Sequence, residues 1–95
     1  MTYHVYMLTN YSNKVLYIGV TNNLERRFFE YQSKLTKGFV TKYNLNKLVY
    51  LADFPDVNEA IAWEKTLKGL TRAKKNKLIE EINPDWKNLI NCHLW

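Results

Sequence analysis

Cysteine is almost missing from this chain: Cys92 stands alone among 95 residues, so no internal disulfide can form and no pair of thiols is on hand for a structural zinc cage. That usage predicts a reducing, cytoplasmic setting. Long apolar runs are missing too, since none approaches the roughly 20 residues that a membrane-spanning helix needs, and no membrane insertion is expected. The opening Met1-Thr2-Tyr3-His4 lacks the basic and apolar regions of a secretory signal. Repeats, low-complexity tracts and linker-like stretches are absent, which predicts a single domain over 1–95. Locally, one sign of charge is missing: the thirteen residues from Lys65 to Lys77 hold no Asp or Glu.

What is present is enough apolar and aromatic material to build a core. Hydrophobic residues make up 46% of the chain, with seven Tyr, four Phe and three Trp, which argues against disorder. Fourteen Lys and Arg against nine Asp and Glu give a formal charge of +5, a balance that favours polyanionic partners such as nucleic acid. The acid-free stretch concentrates that charge in Lys65, Lys68, Arg72, Lys74, Lys75 and Lys77. Two readings stand side by side for it: a surface that tracks a phosphate backbone, or a merely solvated helix face.

Residues Tyr3 to Thr9 are rich in β-branched and aromatic types, Asn10-Tyr11-Ser12-Asn13 supplies turn chemistry, and Val15 to Thr21 resumes strand character, so a β-hairpin is expected. Thr21 or Asn22 would cap a following helix whose buried stripe is Leu24, Phe28, Tyr31 and Leu35, with Arg27 flanking the stripe and Arg26 turned away. Lys37-Gly38 would end it, and Phe39 to Asn44 fits either a short helix or a loop. Lys47 to Phe54, stopped by Pro55, reads as a third strand. Asp56-Val57-Asn58-Glu59 has the form of a capping box, Thr71 offers another N-cap, and Asn83-Pro84 breaks the last helix. Trp86, Leu89, Ile90 and Trp95 predict a tail packed on the body. The expected class is α+β, a small three-stranded antiparallel sheet flanked by helices.

Stepping by about 100° per residue from Val57 gathers Ala60, Ile61, Glu64 and Leu67 on one side of the second long helix. Glu64 is therefore a carboxylate on an otherwise apolar stripe. An unpaired buried ion costs several kcal/mol, so it must meet a cation such as Arg27 or a neighbouring lysine, hold a metal, or lie at the mouth of a cleft. Tyr6 and Tyr17, in neighbouring strands, can project from one hairpin face. Together with Arg27 and Glu64 they suit phosphodiester hydrolysis, which needs an activated water, a proton acceptor, charge stabilisation and help for the leaving oxygen. Glu64 would hold a hard cation such as Mg²⁺, Arg27 would brace the phosphate, Tyr6 would serve as base with its pKa lowered by the adjacent charges, and Tyr17 would position the water; the two tyrosines can exchange roles. Gly19 either allows close approach or marks a strand irregularity. The four side chains should then line one concave surface beside the sheet.

The ordered set His4-Val5-Tyr6, Tyr17-Ile18-Gly19, Arg27 and Trp63-Glu64-Lys65 resembles the GIY-YIG nuclease superfamily, in particular its small stand-alone bacterial members, from Tyr3 to about Trp86. The resemblance implies a GIY-YIG-like nuclease domain with Mg²⁺ or Mn²⁺ dependence, acting on DNA in repair or processing, and it carries over as Tyr6, Tyr17, Gly19, Arg27 and Glu64. His4 replaces the family's opening glycine. Tyr31 stands where the family often has a histidine, which removes a proton carrier near neutral pH. Asn83 best matches the family's late asparagine. Such domains commonly take specificity from an attached module, so a protein partner or a homodimer would have to supply it here. The competing readings are a non-catalytic nucleic-acid-binding module on the same fold and a purely structural or protein-binding domain. His93 beside Cys92 is too small a ligand set to define a metal site.

Overall fold

Asn10 closes the first hairpin. Its side-chain oxygen accepts from the Lys14 amide at 3.0 Å, its carbonyl accepts from the Asn13 amide at 3.0 Å, and Asn13 takes the left-handed conformation, φ 58°, that asparagine tolerates. The strands it joins are β1 (Tyr3–Thr9) and β2 (Leu16–Thr21), followed by α1 (Leu24–Gln32), β3 (Lys47–Phe54), α2 (Val57–Gly69) and α3 (Arg72–Ile82). This computed structural model describes residues 1–32, 38 and 42–90. The expectations for Leu35, Lys37, Phe39 to Thr41, Cys92, His93 and Trp95 lie outside them.

The sheet is antiparallel throughout, as the sequence predicts, and its strands run in the order β2-β1-β3. In β1, the central strand, alternation sends Val5 and Met7 to one face and Tyr6 and Leu8 to the other, and all four are buried. Val5 and Met7 join Ile18, Val49, Ala60, Leu67 and Ile79 in the cluster beneath α2 and α3. Tyr6 and Leu8 join Leu24, Phe28, Leu48 and Ile90 in the cluster beneath α1. A register shift between Met7 and Leu8 inserts an extra residue into β3, so that Met7 faces Tyr50 and Leu8 faces Leu48.

The edge formed by β3 is covered by the tail: the Leu89 amide donates to the Leu48 carbonyl at 2.7 Å, and the Asn88 side chain accepts from the Leu48 amide at 3.0 Å. Caps follow the sequence signals with one displacement. Asp56 caps α2 and Thr71 caps α3. For α1 the cap is Asn23, not Thr21 or Asn22: its Oδ1 accepts from the Arg26 amide at 3.1 Å, while Thr21 Oγ1 accepts from the Asn23 amide at 3.1 Å and so sets up the turn one residue earlier. No helix among the described residues is long and apolar enough to cross a membrane.

Candidate functional site

The site begins at a missing side chain. Gly19 lies opposite Tyr6 in the β1–β2 register, and a Cβ built there would stand 2.5 Å from the Tyr6 hydroxyl oxygen and 3.0 Å from Cε2 of Tyr17. Only glycine leaves room for the Tyr6 ring to lie across β2. Close approach is thus the role of Gly19, and the groups that approach are the two tyrosines. Phe28 of α1 packs edge-on against the Tyr6 ring with centroids 5.7 Å apart, Tyr17 lies 6.4 Å away on a tilt, and Tyr6 is left 1% exposed.

The Tyr6 hydroxyl is 2.9 Å from that of Tyr31, which is itself within hydrogen-bonding reach of Tyr17. Burial pushes the Tyr6 phenol far above its ordinary value, the bond to Tyr31 adds to the rise, and the charge of Arg27 opposes it weakly. Burial raises Tyr31 too, but there the bond to Tyr6 acts downward and the interaction with Tyr17 upward. The three hydroxyls thus form one linked cluster, in which Tyr31 bridges Tyr6 and Tyr17 and either phenol of the Tyr6–Tyr31 pair can donate. The expectation of Tyr6 as a base of lowered pKa is corrected by this arrangement, because burial raises the phenol and seals it from water. Tyr31 is the link between the two motif tyrosines, in addition to packing on Phe28 at 6.3 Å.

Arg27 flanks this face from α1, 40% exposed, with Glu30 at 4.0 Å. Arg26, 75% exposed, points away as expected. Tyr6, Tyr17, Tyr31, Arg27 and Gly19 therefore come together, whereas Glu64 arrives from the other side of the sheet. Its helix buries Ala60 and Leu67 against Val5, Met7 and Ile18. Trp63, on one flank of that stripe, donates its indole N–H to Tyr50 of β3 at 3.1 Å. Glu64 follows Trp63 by one position, about 100° further round the helix. The expected single concave surface is corrected: the tyrosines and Arg27 lie on the face that α1 covers, whereas Glu64 is carried by the helix on the opposite face. Glu64 is 17% exposed and pairs with Lys68 at 3.4 Å, so its cation is the neighbouring lysine and not Arg27.

Two further expectations change. Asn83 is 4% exposed and its side chain is spent internally: Nδ2 donates to the carbonyls of Val49 and Lys87 at 3.2 and 2.8 Å, and Oδ1 accepts from the Lys87 amide at 2.9 Å. It ends α3 and ties the tail to β3, and it lies in the structural frame, not in the site. In the basic cluster, Lys65, Lys74 and Lys77 are exposed and Lys75 is half-buried, but Lys68 is held by Glu64. Arg72 donates to the Lys14 carbonyl at 2.8 Å, the Asn13 carbonyl and the Asn76 side chain at 2.9 Å, which pins α3 to the first turn. The free basic surface is narrower than the sequence suggests.

Beside the tyrosines lies a pair that strand patterning did not disclose. His4 Nδ1 and Asp53 Oδ1 are 2.6 Å apart across β1 and β3, at the wall of a cleft of about 360 Å³ lined by Asn22, Asn23, Leu24, Glu25 and Leu51. The pairing depends on the β1–β3 register, which no local signal in either strand specifies.

Residues 2–78 match the family model described as the GIY-YIG catalytic domain. The chain is 35% identical over 87 residues to a UPF0213 protein of Limosilactobacillus reuteri, covering 87% of this chain and 88% of that one. It is 36% identical over 78 residues to the UPF0213 protein YhbQ of Escherichia coli, covering 81% and 76%. Among solved structures, the solution NMR structure of a UPF0213 protein from Bacillus halodurans superposes with a TM-score of 0.61 at 27% identity, covering 98% of each chain. With its tyrosine pair, its glycine and its helix-borne glutamate in the family's order and on the family's fold, this chain belongs to the GIY-YIG family.

Proposed function

We propose that this protein hydrolyses phosphodiester bonds of DNA with a divalent cation, Mg²⁺ or Mn²⁺, at the β2 edge. The observation that carries the reading is the linked cluster of the Tyr6, Tyr31 and Tyr17 hydroxyls, seated on Gly19 and flanked by Arg27. A core built for stability alone would not need three linked phenols at a half-open edge beside a guanidinium.

The residues fit a cation that keeps most of its water. Among the described residues no group of three His, Cys, Asp or Glu gathers to form a protein cage. Mg²⁺ is commonly held by one or two carboxylates, with waters and substrate phosphate filling the remaining positions, and Glu64 can supply one. When bound, the ion would stabilise charge on the phosphate and the departing oxygen. Arg27 holds the phosphate by charge-assisted hydrogen bonds from the α1 side. Tyr17, the half-buried end of the cluster, orients the attacking water by hydrogen bonding, the proton that the water loses passing to a phosphate oxygen or to solvent, while Tyr31 and the buried Tyr6 hold the Tyr17 hydroxyl in place. Lys65, Lys74 and Lys77 would steer the backbone of the strand toward the edge without reading its sequence.

A second reading is favoured by the Glu64–Lys68 pair, which already satisfies the carboxylate: the domain binds nucleic acid without cutting it. Labelled single-stranded, duplex and branched DNA incubated with Mg²⁺ or Mn²⁺ separates the two. Hydrolysis lost in both Glu64→Gln and Arg27→Ala supports the nuclease. Salt-sensitive binding with no metal-dependent cleavage, unchanged by Glu64→Gln, supports the binding module, and absence of both leaves a structural domain.

A further inference from the structure

The cleft beside the tyrosines has a composition opposite to that of the phosphate side. His4, Asn22, Asn23, Glu25 and Asp53 line it, with Leu24 and Leu51 as apolar walls, and among the described residues no lysine or arginine lines it. Two carboxylates repel a phosphate, so the strand's backbone does not belong there. The space, about 360 Å³, lies in the range of small-ligand sites. Its position is tied to the catalytic face: His4 precedes Tyr6 by two residues and so points to the same side of β1, Asp53 pairs with His4 as Leu51 pairs with Tyr6, and Leu24 and Leu51 also pack in the cluster around Tyr6.

Its charged groups, the Asp53 and Glu25 carboxylates, are acceptors. Asp53 is 57% exposed and Glu25 is exposed; Asn23 Oδ1 is spent on capping α1, and His4 Nδ1 is held by Asp53. A flat, uncharged ligand with donor hydrogens on its edge and apolar faces would match: the carboxylates accept from its amino group while Leu24 and Leu51 meet its faces. A nucleobase carrying an exocyclic amino group has this form, and carboxylates are the usual acceptors for the cytosine amino group. A base paired within a duplex cannot enter, because its amino edge is occupied and it lies in the stack.

We propose that this cleft is a nucleobase subsite, which holds an unpaired amino-bearing base, cytosine above all, next to the phosphate at the β2 edge. The inference rests on the reading of that edge as a DNA site and gives it a substrate preference: strands with an unpaired cytosine beside the phosphate.

The test compares fluorescein-labelled twelve-residue oligodeoxycytidine and oligodeoxyuridine, which differ at the base only in the amino group against the carbonyl and the adjacent ring proton, by anisotropy with the full chain in chelator. The expected result is affinity for the cytidine strand about tenfold above that for the uridine strand. In Asp53→Ala and in Glu25→Ala, both exposed and so safe for folding, this ratio falls toward one even though the loss of a negative charge raises non-specific affinity for both strands. Equal affinities in the native chain, or a ratio untouched by either substitution, would overturn the subsite while leaving the edge intact. Binding of neither strand would overturn the reading of the edge as well.

Discussion

Replacing Gly19 by alanine sets two opposing effects against each other, and the structure decides the sign. In an extended strand alanine is ordinarily the better residue, because it restricts the unfolded chain, a gain of about 0.4–1 kcal/mol where the native conformation is compatible. Gly19 needs no unusual backbone torsion, so that gain is in principle on offer. Against it stands space. The new methyl would lie 2.5 Å from the Tyr6 hydroxyl oxygen and 2.6 Å from its Cζ, where non-bonded contacts are attractive only from about 3.5 Å. Tyr6 cannot retreat, being 1% exposed under Phe28 and tied to Tyr31. Overpacking of this kind costs about 1–3 kcal/mol, which outweighs the backbone gain and leaves a net loss of about 1–2 kcal/mol. For a domain of this size that lowers the thermal midpoint by on the order of 5–15 °C. Gly69 supplies the control, since a Cβ there meets nothing within 4 Å, and Gly69→Ala should leave stability unchanged or raise it. Thermal and urea unfolding of both variants, followed by circular dichroism, decides the matter. A Gly19→Ala chain as stable as the native one would refute the account of Gly19 as the seat of the Tyr6 ring.

The remaining expectations concern the phenols, the tail and the first turn. Because burial raises the Tyr6 and Tyr31 phenols above their ordinary value of about 10, stability should be full below that pH and fall as pH rises past it, where the unfolded chain sheds protons that the folded chain retains. Unfolding monitored from pH 8 to 11 should show this fall, reduced in Tyr6→Phe, and a flat profile would refute it. Tyr31→Phe should strand the Tyr6 hydroxyl in a dry core at a cost of about 1–3 kcal/mol, whereas Tyr6→Phe, which removes the buried group itself, should cost less. Asn83→Ala should cost about 1–3 kcal/mol by freeing the Val49 and Lys87 carbonyls, with cleavage per folded molecule unchanged; loss of cleavage at full stability would return Asn83 to the site. Arg72→Ala should destabilise the chain by about 1–2 kcal/mol through release of the first turn, with little change in the salt dependence of DNA binding, while Lys74→Ala should lower that salt slope and leave stability alone.

The elements of the fold were legible because each carries its own local signal: alternation in Tyr3–Thr9, the asparagine-rich turn, the caps at Asp56 and Thr71 and the stop at Pro55. The candidate site was legible only as a list of residues, since order along the chain says nothing of which face of a sheet a helix will cover. Periodicity put Ala60 and Leu67 on the sheet-facing stripe, but α2 could cover either side of the sheet, and the choice was made by their long-range packing on Val5 and Met7. The same limit hid the His4–Asp53 pair, which exists through strand register, and the roles of Arg72 and Asn83, whose hydrogen bonds reach residues far away in sequence. The outcome for the chemistry is specific. Glu64 comes from the helix on one face, while Tyr17 and Arg27 lie on the other, so the proposed chemistry requires a nucleic-acid strand that runs along the β2 margin and meets the guanidinium and the carboxylate from opposite sides. Asn88 and Leu89 cover the β3 margin, and Gly19, which admits the Tyr6 ring, lies within β2.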